Sequence, residues 1–381
     1  MANKTVLIIC YSDLNRDPRV LRQIDTLSPT FNIIAAGLSS PNLPNLEFIK
    51  LYLRKRSFIE KVFKLYLIIT RKYEQLYWTL EKKKDLFNLS KMKYDLVIAN
   101  DLEALPLGLK VAKSSNSKLI FDAHEYYPDF TQNQSFKNKL KIKEIKYQCN
   151  KYLLQANFVT TVSEGISNKY FSEFGIQCSI IRNSVKYISQ IPSKVDPANI
   201  KLVHHGGALP GRKLELMIES MKYLDSRFSL YFYLLVPDEF IEYYNYLKSL
   251  SQKVSPNIHF KQIVPTKQIP FELNQYDLGI YILPPRNFNS ENALPNKFFE
   301  YVQGRLGIAI GPSKEMSKYV NRYELGVISE DFSAKSFADK INKLEAEQIQ
   351  TFKFNAHECA KLLSSETEEA MLNEIVKTNI I

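Results

Sequence analysis

Short runs of β-branched and aliphatic residues alternate with longer amphipathic stretches along almost the whole of this chain. Apolar runs of four to eight residues suit strands buried on both faces, and stretches with a 3.6-residue period suit helices that cover them. The pattern therefore predicts an α/β chain with parallel sheets sandwiched by helices. In the first half the predicted strands are Thr5–Cys10, Phe31–Ala36, Leu46–Leu51, Tyr94–Ala99, Lys118–Ala123, Phe158–Val162 and Cys178–Arg182. A proline-bearing polar stretch, Lys186–Asn199, then reads as a linker. A second series follows at Lys201–His205, Ser229–Val236, Asn257–Phe260, Leu278–Leu283, Gly307–Ile310 and Gly326–Ser329. Two Rossmann-like domains are expected, over residues 1–190 and 200–360, facing each other across a cleft. Residues 361–381 are expected to form a terminal helix that crosses back to the first domain.

A length of 381 residues agrees with two domains. The four cysteines, Cys10, Cys149, Cys178 and Cys359, lie far apart with no CxxC spacing. They read as buried thiols in a reducing, cytoplasmic compartment rather than as a disulfide framework or a zinc site. No run approaches the ~18 apolar residues that span a bilayer, and the first strand begins without a signal-peptide core. The net charge of +11 is unevenly placed: Lys50–Lys93 holds thirteen Lys/Arg against four Asp/Glu, a surplus of nine. Aromatic residues, Trp78 among them, are interleaved with these charges, and a second basic stretch runs from Ser135 to Lys151. Such a surface suits anionic lipid headgroups, with association at the inner face of the plasma membrane. The competing reading is a solvated helical face over a buried apolar stripe. Nucleic acid is disfavoured, because no recognised binding module accompanies the basic residues.

Three segments can carry chemistry. In ALPNKFFEYVQGRLGIAIGPS, Ala293–Ser313, Pro295 suits a helix start and Gly304 its end. The helix start with Asn296 and Lys297 would attract an anion, and Glu300 one turn in would accept hydrogen bonds from a vicinal diol such as ribose. Alternatively these three residues are the polar side of an amphipathic helix. In HHGGALPGRKLELMIESMKYL, His204–Leu224, a strand runs into Gly206 and Gly207 and then a helix with Leu214, Met217, Ile218, Met221 and Leu224 on one face. Arg212 and Lys213 sit at the helix start, where cations oppose the helix dipole, and a diphosphate there would explain them. An exposed basic pair beside an ordinary glycine turn is the other reading. In FDAHEYYPDF, Phe121–Phe130, the residues Asp122, His124 and Glu125 follow a strand end and are expected to face the cleft. No second His stands at metal-ligand spacing, and GxSxG is absent, so neither a metal centre nor a serine hydrolase is expected.

Taken in order, these segments resemble glycosyltransferases of the GT-B fold, in particular family 4 of the bacterial surface-polysaccharide type. The resemblance runs through Asp17, Arg19 and Val20, then VIANDLEALPLG, FDAHEYYPD, TTVSEGISNKY and IIRNSV, to the Arg212 turn and PNKFFEYVQGRLGIAI, the last two about ninety residues apart. It implies a UDP- or GDP-sugar donor used without a bound metal, and transfer with retention to a glycan or polyprenyl-linked acceptor. By resemblance Glu300 binds the ribose, Arg212 neutralises the diphosphate, His124 lies near the reacting centre, and Asn183 belongs to the motif closing the first domain. The first Glu of the family's E-x7-E element is replaced by Asn292, with Glu291 one step earlier, so either residue could take its part. The glycine-rich turn after the first strand is replaced by YSDLNRDPRV. A sugar-nucleotide epimerase and a catalytically silent scaffold remain the alternatives.

Overall fold

A computed structural model describes residues 4–53, 57–129 and 136–380, with the side chains of 136 and 137 outside the description. Among the described residues thirteen strands fall in the thirteen predicted places, with no end shifted by more than two residues. The first seven, β1 (Thr5–Ile9), β2 (Asn32–Gly37), β3 (Glu47–Lys50), β4 (Leu96–Asn100), β5 (Lys118–Ala123), β6 (Phe158–Thr161) and β7 (Ser179–Ile180), form one parallel sheet. Its order is β3-β2-β1-β4-β5-β6-β7. The remaining six, β8 (Ile200–Gly207), β9 (Phe228–Leu235), β10 (Ile258–Lys261), β11 (Leu278–Tyr281), β12 (Gly307–Ile310) and β13 (Gly326–Ile328), form a second, in the order β10-β9-β8-β11-β12-β13. In both sheets the order reverses beside the first strand of the series, the point where loops at the carboxyl ends of the strands diverge and leave room for a ligand.

Between the strands of the first sheet, among the described residues, run α1 (Pro18–Leu27), α2 (Phe58–Ile69), α3 (Tyr73–Tyr77), α4 (Leu80–Leu89), α5 (Asp101–Ser115), α6 (Phe136–Tyr152) and α7 (Glu164–Phe174). Along the second series run α8 (Glu215–Ser220), α9 (Ile241–Val254), α10 (Ile269–Leu273), α11 (Phe288–Glu291), α12 (Asn296–Gln303), α13 (Lys314–Arg322), α14 (Ala334–Asn342) and α15 (Ala346–Cys359), and α16 (Ser365–Asn379) comes last. The chain divides into two units. The first comprises Met1–Arg182, Asn287–Asn289 and Glu368–Ile381, the second Asn183–Arg286 and Ser290–Thr367.

The carboxyl-terminal residues thus belong with the first sheet. Leu372, Ile375 and Val376 of α16 lie in the layer built by Val6, Ile8, Val20 and Ile24. The Glu368 carboxylate accepts from the Arg182 backbone N–H at 2.7 Å and from its Nε at 2.5 Å. All four cysteines are buried thiols, and among the described residues no helix is long and apolar enough to cross a membrane.

Candidate functional site

In the second unit the site begins where β8 ends. Gly206 holds φ +131°, a conformation that L side chains rarely adopt. A Cβ there would lie 3.2 Å from both Arg212 Nη1 and Lys297 Nζ, so two cationic side chains converge over this one glycine. Gly207 stands further off, its Cβ position 3.9 Å from Arg212 Nη1. Arg212 closes a 3-10 turn, Pro210–Arg212, and the next residue, Lys213, takes φ +52° before α8. That left-handed residue separates the two basic side chains. Lys213 reaches outward to Glu215 at 3.6 Å and does not join Arg212. The predicted helix is accordingly shorter, Glu215–Ser220, although Leu214, Met217, Ile218 and Met221 do bury their common face.

The second segment departs further from a simple amphipathic helix. α12 is capped by Pro295 and Gly304 as expected, but Lys297 and Glu300 are buried with its apolar residues rather than solvated on a polar side. The Lys297 ammonium lies 4.3 Å from the Tyr281 ring centroid, and its Nζ has no hydrogen-bond partner among the described residues. Burial first, then the neighbouring Arg212, pushes this amine well below its ordinary pKa against the opposing pull of Glu300. An unpartnered buried amine costs several kcal/mol as a charge, by order of magnitude, and an anion beside Arg212 would remove that cost. Glu300 Oε2 lies 3.3 Å from His205 Nε2 of β8, with no hydrogen bond made by that nitrogen among the described residues. Burial, with Lys297 and Arg212, brings His205 down to about 3, so the carboxylate faces a neutral imidazole at neutral pH. The His205 ring stands edge-on to Tyr301, whose hydroxyl donates to the Ile280 carbonyl at 3.0 Å. His204 stacks flat on Tyr281, with an interplanar angle of 8°.

Asn292 is buried close by in sequence, Asn296 is the half-buried first residue of α12, and Asn183 is half-buried where the second unit begins. Glu291 is engaged elsewhere in an ion pair with Lys314 at 2.8 Å. Sequence reasoning assigned no role to His204, His205 or Tyr281. The signal that could have found the pair is two adjacent histidines, one for each covered face of a strand running directly into glycines.

In the first unit His124 follows β5. Its Nδ1 lies 3.2 Å from Asp101 Oδ1, and its Nε2 lies 3.4 Å from Asp122 Oδ2 and 3.3 Å from Asn100 Oδ1. Burial pulls the imidazolium down, but the Asp122 hydrogen bond and the Asp101 and Asp122 charges outweigh it and hold His124 above its ordinary pKa. Asp101 opens α5 at φ +65°, and its carboxylate also accepts from the Tyr127 hydroxyl at 2.6 Å.

Asp122, expected to face outward with His124, is instead turned into the protein. It takes a two-pronged bond from Arg19 at 2.7 Å on each oxygen, with further donors in Gln23 and Thr160. Burial opposes its charge, but Arg19 and the His124 hydrogen bond hold its carboxyl far below the usual range. Glu125 is partly buried, and burial together with Asp101 raises its pKa. Phe130, which ends this motif, lies outside the described residues. Among the described residues no cluster of three His, Cys, Asp or Glu is arranged to hold a metal ion.

No protein-family model matches the sequence, and no curated protein matches it. Solved structures match in three dimensions. HepE from Anabaena, solved with UDP, superposes with a TM-score of 0.72 at 13% identity, over 98% of this chain and 100% of its own. It has also been solved with UDP-glucose. A glycosyltransferase from Rickettsia africae gives 0.71 at 14% identity, covering 99% of each chain. WaaG, a glycosyltransferase involved in lipopolysaccharide biosynthesis, gives 0.64 at 12% identity over 97% of this chain and 99% of its own. At these identities the likeness establishes the fold, and the two parallel sheets of this chain are those of the GT-B glycosyltransferase fold.

Proposed function

We propose that this chain is a retaining glycosyltransferase of family 4 type, in which the second unit binds a nucleotide-diphosphate sugar and the first binds the acceptor. The observation that carries the reading is the convergence of Arg212 and the unpartnered Lys297 Nζ over Gly206. A diphosphate would supply the missing counter-charge, and Glu300 beside it would accept hydrogen bonds from the ribose hydroxyls. Asn292 and Asn296 offer hydrogen bonds to the donor, and Asn183 lies at the unit's first residue. The HepE complexes with UDP and UDP-glucose support a UDP-sugar over a GDP-sugar as donor.

As the sugar departs, negative charge develops on the leaving diphosphate, and fixed cations lower that barrier with no metal required. The departing phosphate takes the acceptor proton on the same face of the sugar, which gives retention. In the first unit Asp101 and Asp122 face the two ring nitrogens of His124 and hold its pKa above the ordinary value, which favours positive charge near the donor sugar. Of the two residues near the position of the family's first Glu, Asn292 is the buried one, and Glu291 would have to leave Lys314 to serve. The acceptor is a glycan or polyprenyl-linked glycan of bacterial surface-polysaccharide assembly, met at the inner face of the plasma membrane through the basic 50–93 segment.

Calorimetry with UDP, GDP, CDP and ADP in the absence of metal, on the wild type and Glu300→Ala, tests the donor site. One diphosphate is expected to bind and to weaken about tenfold or more in the variant, the loss of a charge-assisted hydrogen bond or two. Binding by none of the four would remove the donor reading and leave a silent scaffold. Turnover of the sugar nucleotide without any acceptor would point to an epimerase.

A further inference from the structure

α2 forms from local signals, because Ser57 and Glu60 close a reciprocal capping box, Glu60 accepting from the Ser57 N–H at 2.7 Å and Ser57 Oγ accepting from the Glu60 N–H at 3.3 Å. Only Leu67 and Ile68 of this helix are buried, in a small cluster with Tyr73 and Leu76 that Leu140 and Tyr147 of α6 cover. The wider apolar face points the other way. Phe58 is 80% exposed, Ile59 79%, Phe63 57% and Ile69 60%, and Val62 and Tyr66 are exposed with them. At 100° per residue these six fall on one continuous side of the helix, the spacing of a core-facing stripe with no core opposite it. An apolar face of this kind marks an interaction surface.

Charge identifies what it meets. Exposed Lys61 borders the face, exposed Arg71 and Lys72 follow its last residue, and Lys72 Nζ stands 5.6 Å from the Tyr66 ring centroid. An apolar stripe edged by cations matches a bilayer with anionic headgroups, whose acyl chains take the stripe while phosphates take the lysines. Trp78, which the sequence offers as an interfacial anchor, takes no part, since it packs against the first unit's core under Lys110. Arg54–Arg56 lie outside the described residues.

We propose that α2 is an interfacial helix that lies in the plane of an anionic membrane, with its Phe58, Ile59, Phe63 and Ile69 face among the acyl chains and Lys61, Arg71 and Lys72 at the headgroups. The proposal rests on the membrane part of the functional reading and not on its donor part, so the two fail separately.

The test is flotation of the full chain with vesicles of phosphatidylcholine alone and of phosphatidylcholine with phosphatidylglycerol. The wild type is expected to float with the anionic vesicles at least tenfold more than with the neutral ones. Ile59→Asp with Phe63→Asp should lose at least tenfold of that binding, and Arg71→Glu with Lys72→Glu severalfold. Circular dichroism and nucleoside-diphosphate binding unchanged in both variants would show that the fold and donor site are intact. A variant that failed this check would be replaced by Ile59→Ser with Phe63→Ser, which removes the apolar surface without adding charge. A wild type that stays with neither vesicle overturns the proposal, as does binding that survives the aspartate pair. Concentration-dependent self-association abolished by the aspartate pair, without vesicle binding, would assign the face to a second copy of this chain instead.

Discussion

At the end of β5, Arg19 meets Asp122 through two bonds of 2.7 Å, and Gln23, Thr160 and His124 complete the carboxylate's surroundings. At the end of β8, Arg212 and Lys297 meet each other over a bare glycine, with the Lys297 amine unpartnered among the described residues. Both are strand ends of parallel sheets, and both concentrate charge out of water. The first region has its counter-charges built in and is stable as it stands. The second has an excess of cation, with Glu300 the carboxylate whose charge acts on Lys297, and that imbalance is favourable only with an anionic guest. In this fold a ligand site is distinguished less by how many charged residues it gathers than by which of them the protein leaves uncompensated.

The comparison can be broken most directly at Asp122. Replacing it with alanine strands Arg19 in the interior and should cost about 3–5 kcal/mol, read as a fall in the urea midpoint at unchanged slope. A loss under ~1 kcal/mol would mean that the network is not the structural element its geometry implies. Arg212→Ala should leave stability nearly untouched and lower transfer at saturating donor by roughly 10²–10³-fold, the usual result of removing a group that stabilises developing charge. Unchanged turnover would remove Arg212 from the reaction.

Lys297→Met sharpens the contrast, because its two effects should have opposite signs. Nucleotide affinity should fall by roughly 10–100-fold, while the nucleotide-free protein melts at a higher temperature, having lost a buried amine that nothing there compensates. Binding the diphosphate should also raise the Lys297 pKa, because the anion opposes the depression caused by burial and Arg212, and any proton uptake on binding reports that rise. Calorimetry in two buffers of different ionisation enthalpy reads that uptake, and its persistence in Lys297→Met would assign it elsewhere.

The smallest effect belongs to His124. Its folded pKa is raised, so its contribution to stability is complete below the unfolded value of about 6.5 and is lost as pH rises through the folded value. Asp101→Asn should shrink that contribution by removing one of the two carboxylates, visible as a flatter stability profile as pH rises above the unfolded value. An unchanged profile would show that Asp122 alone sets the imidazole.

The strands were legible because four to eight apolar residues between turns have few other homes. Every predicted strand is present, and the linker is irregular as its prolines require. Periodicity was less informative about orientation. It identifies which residues share a side of a helix and not which way that side turns, so the stripe of α2 could be read as buried when most of it is exposed. For the same reason Lys297 and Glu300 could be read as a solvated edge, although α12 is enclosed on nearly all sides. Lys213 looked equivalent to Arg212 because a left-handed residue between a turn and a helix leaves little mark on the sequence when that residue is not glycine. His205 was invisible as a neighbour of Glu300 because ninety-five residues separate the two and only the β8–α12 packing unites them.

The placement of α16 carries a consequence for biosynthesis. Val6 and Ile8 belong to β1, and the layer they occupy is completed by Leu372, Ile375 and Val376. The second unit lies wholly between those two parts of the chain, apart from the short Asn287–Asn289 excursion. The half begun first is therefore the half finished last. Until translation passes residue 376, the apolar side of the first sheet has an unfilled groove, and the nascent chain spends that interval with its second sheet complete and its first in need of protection from aggregation.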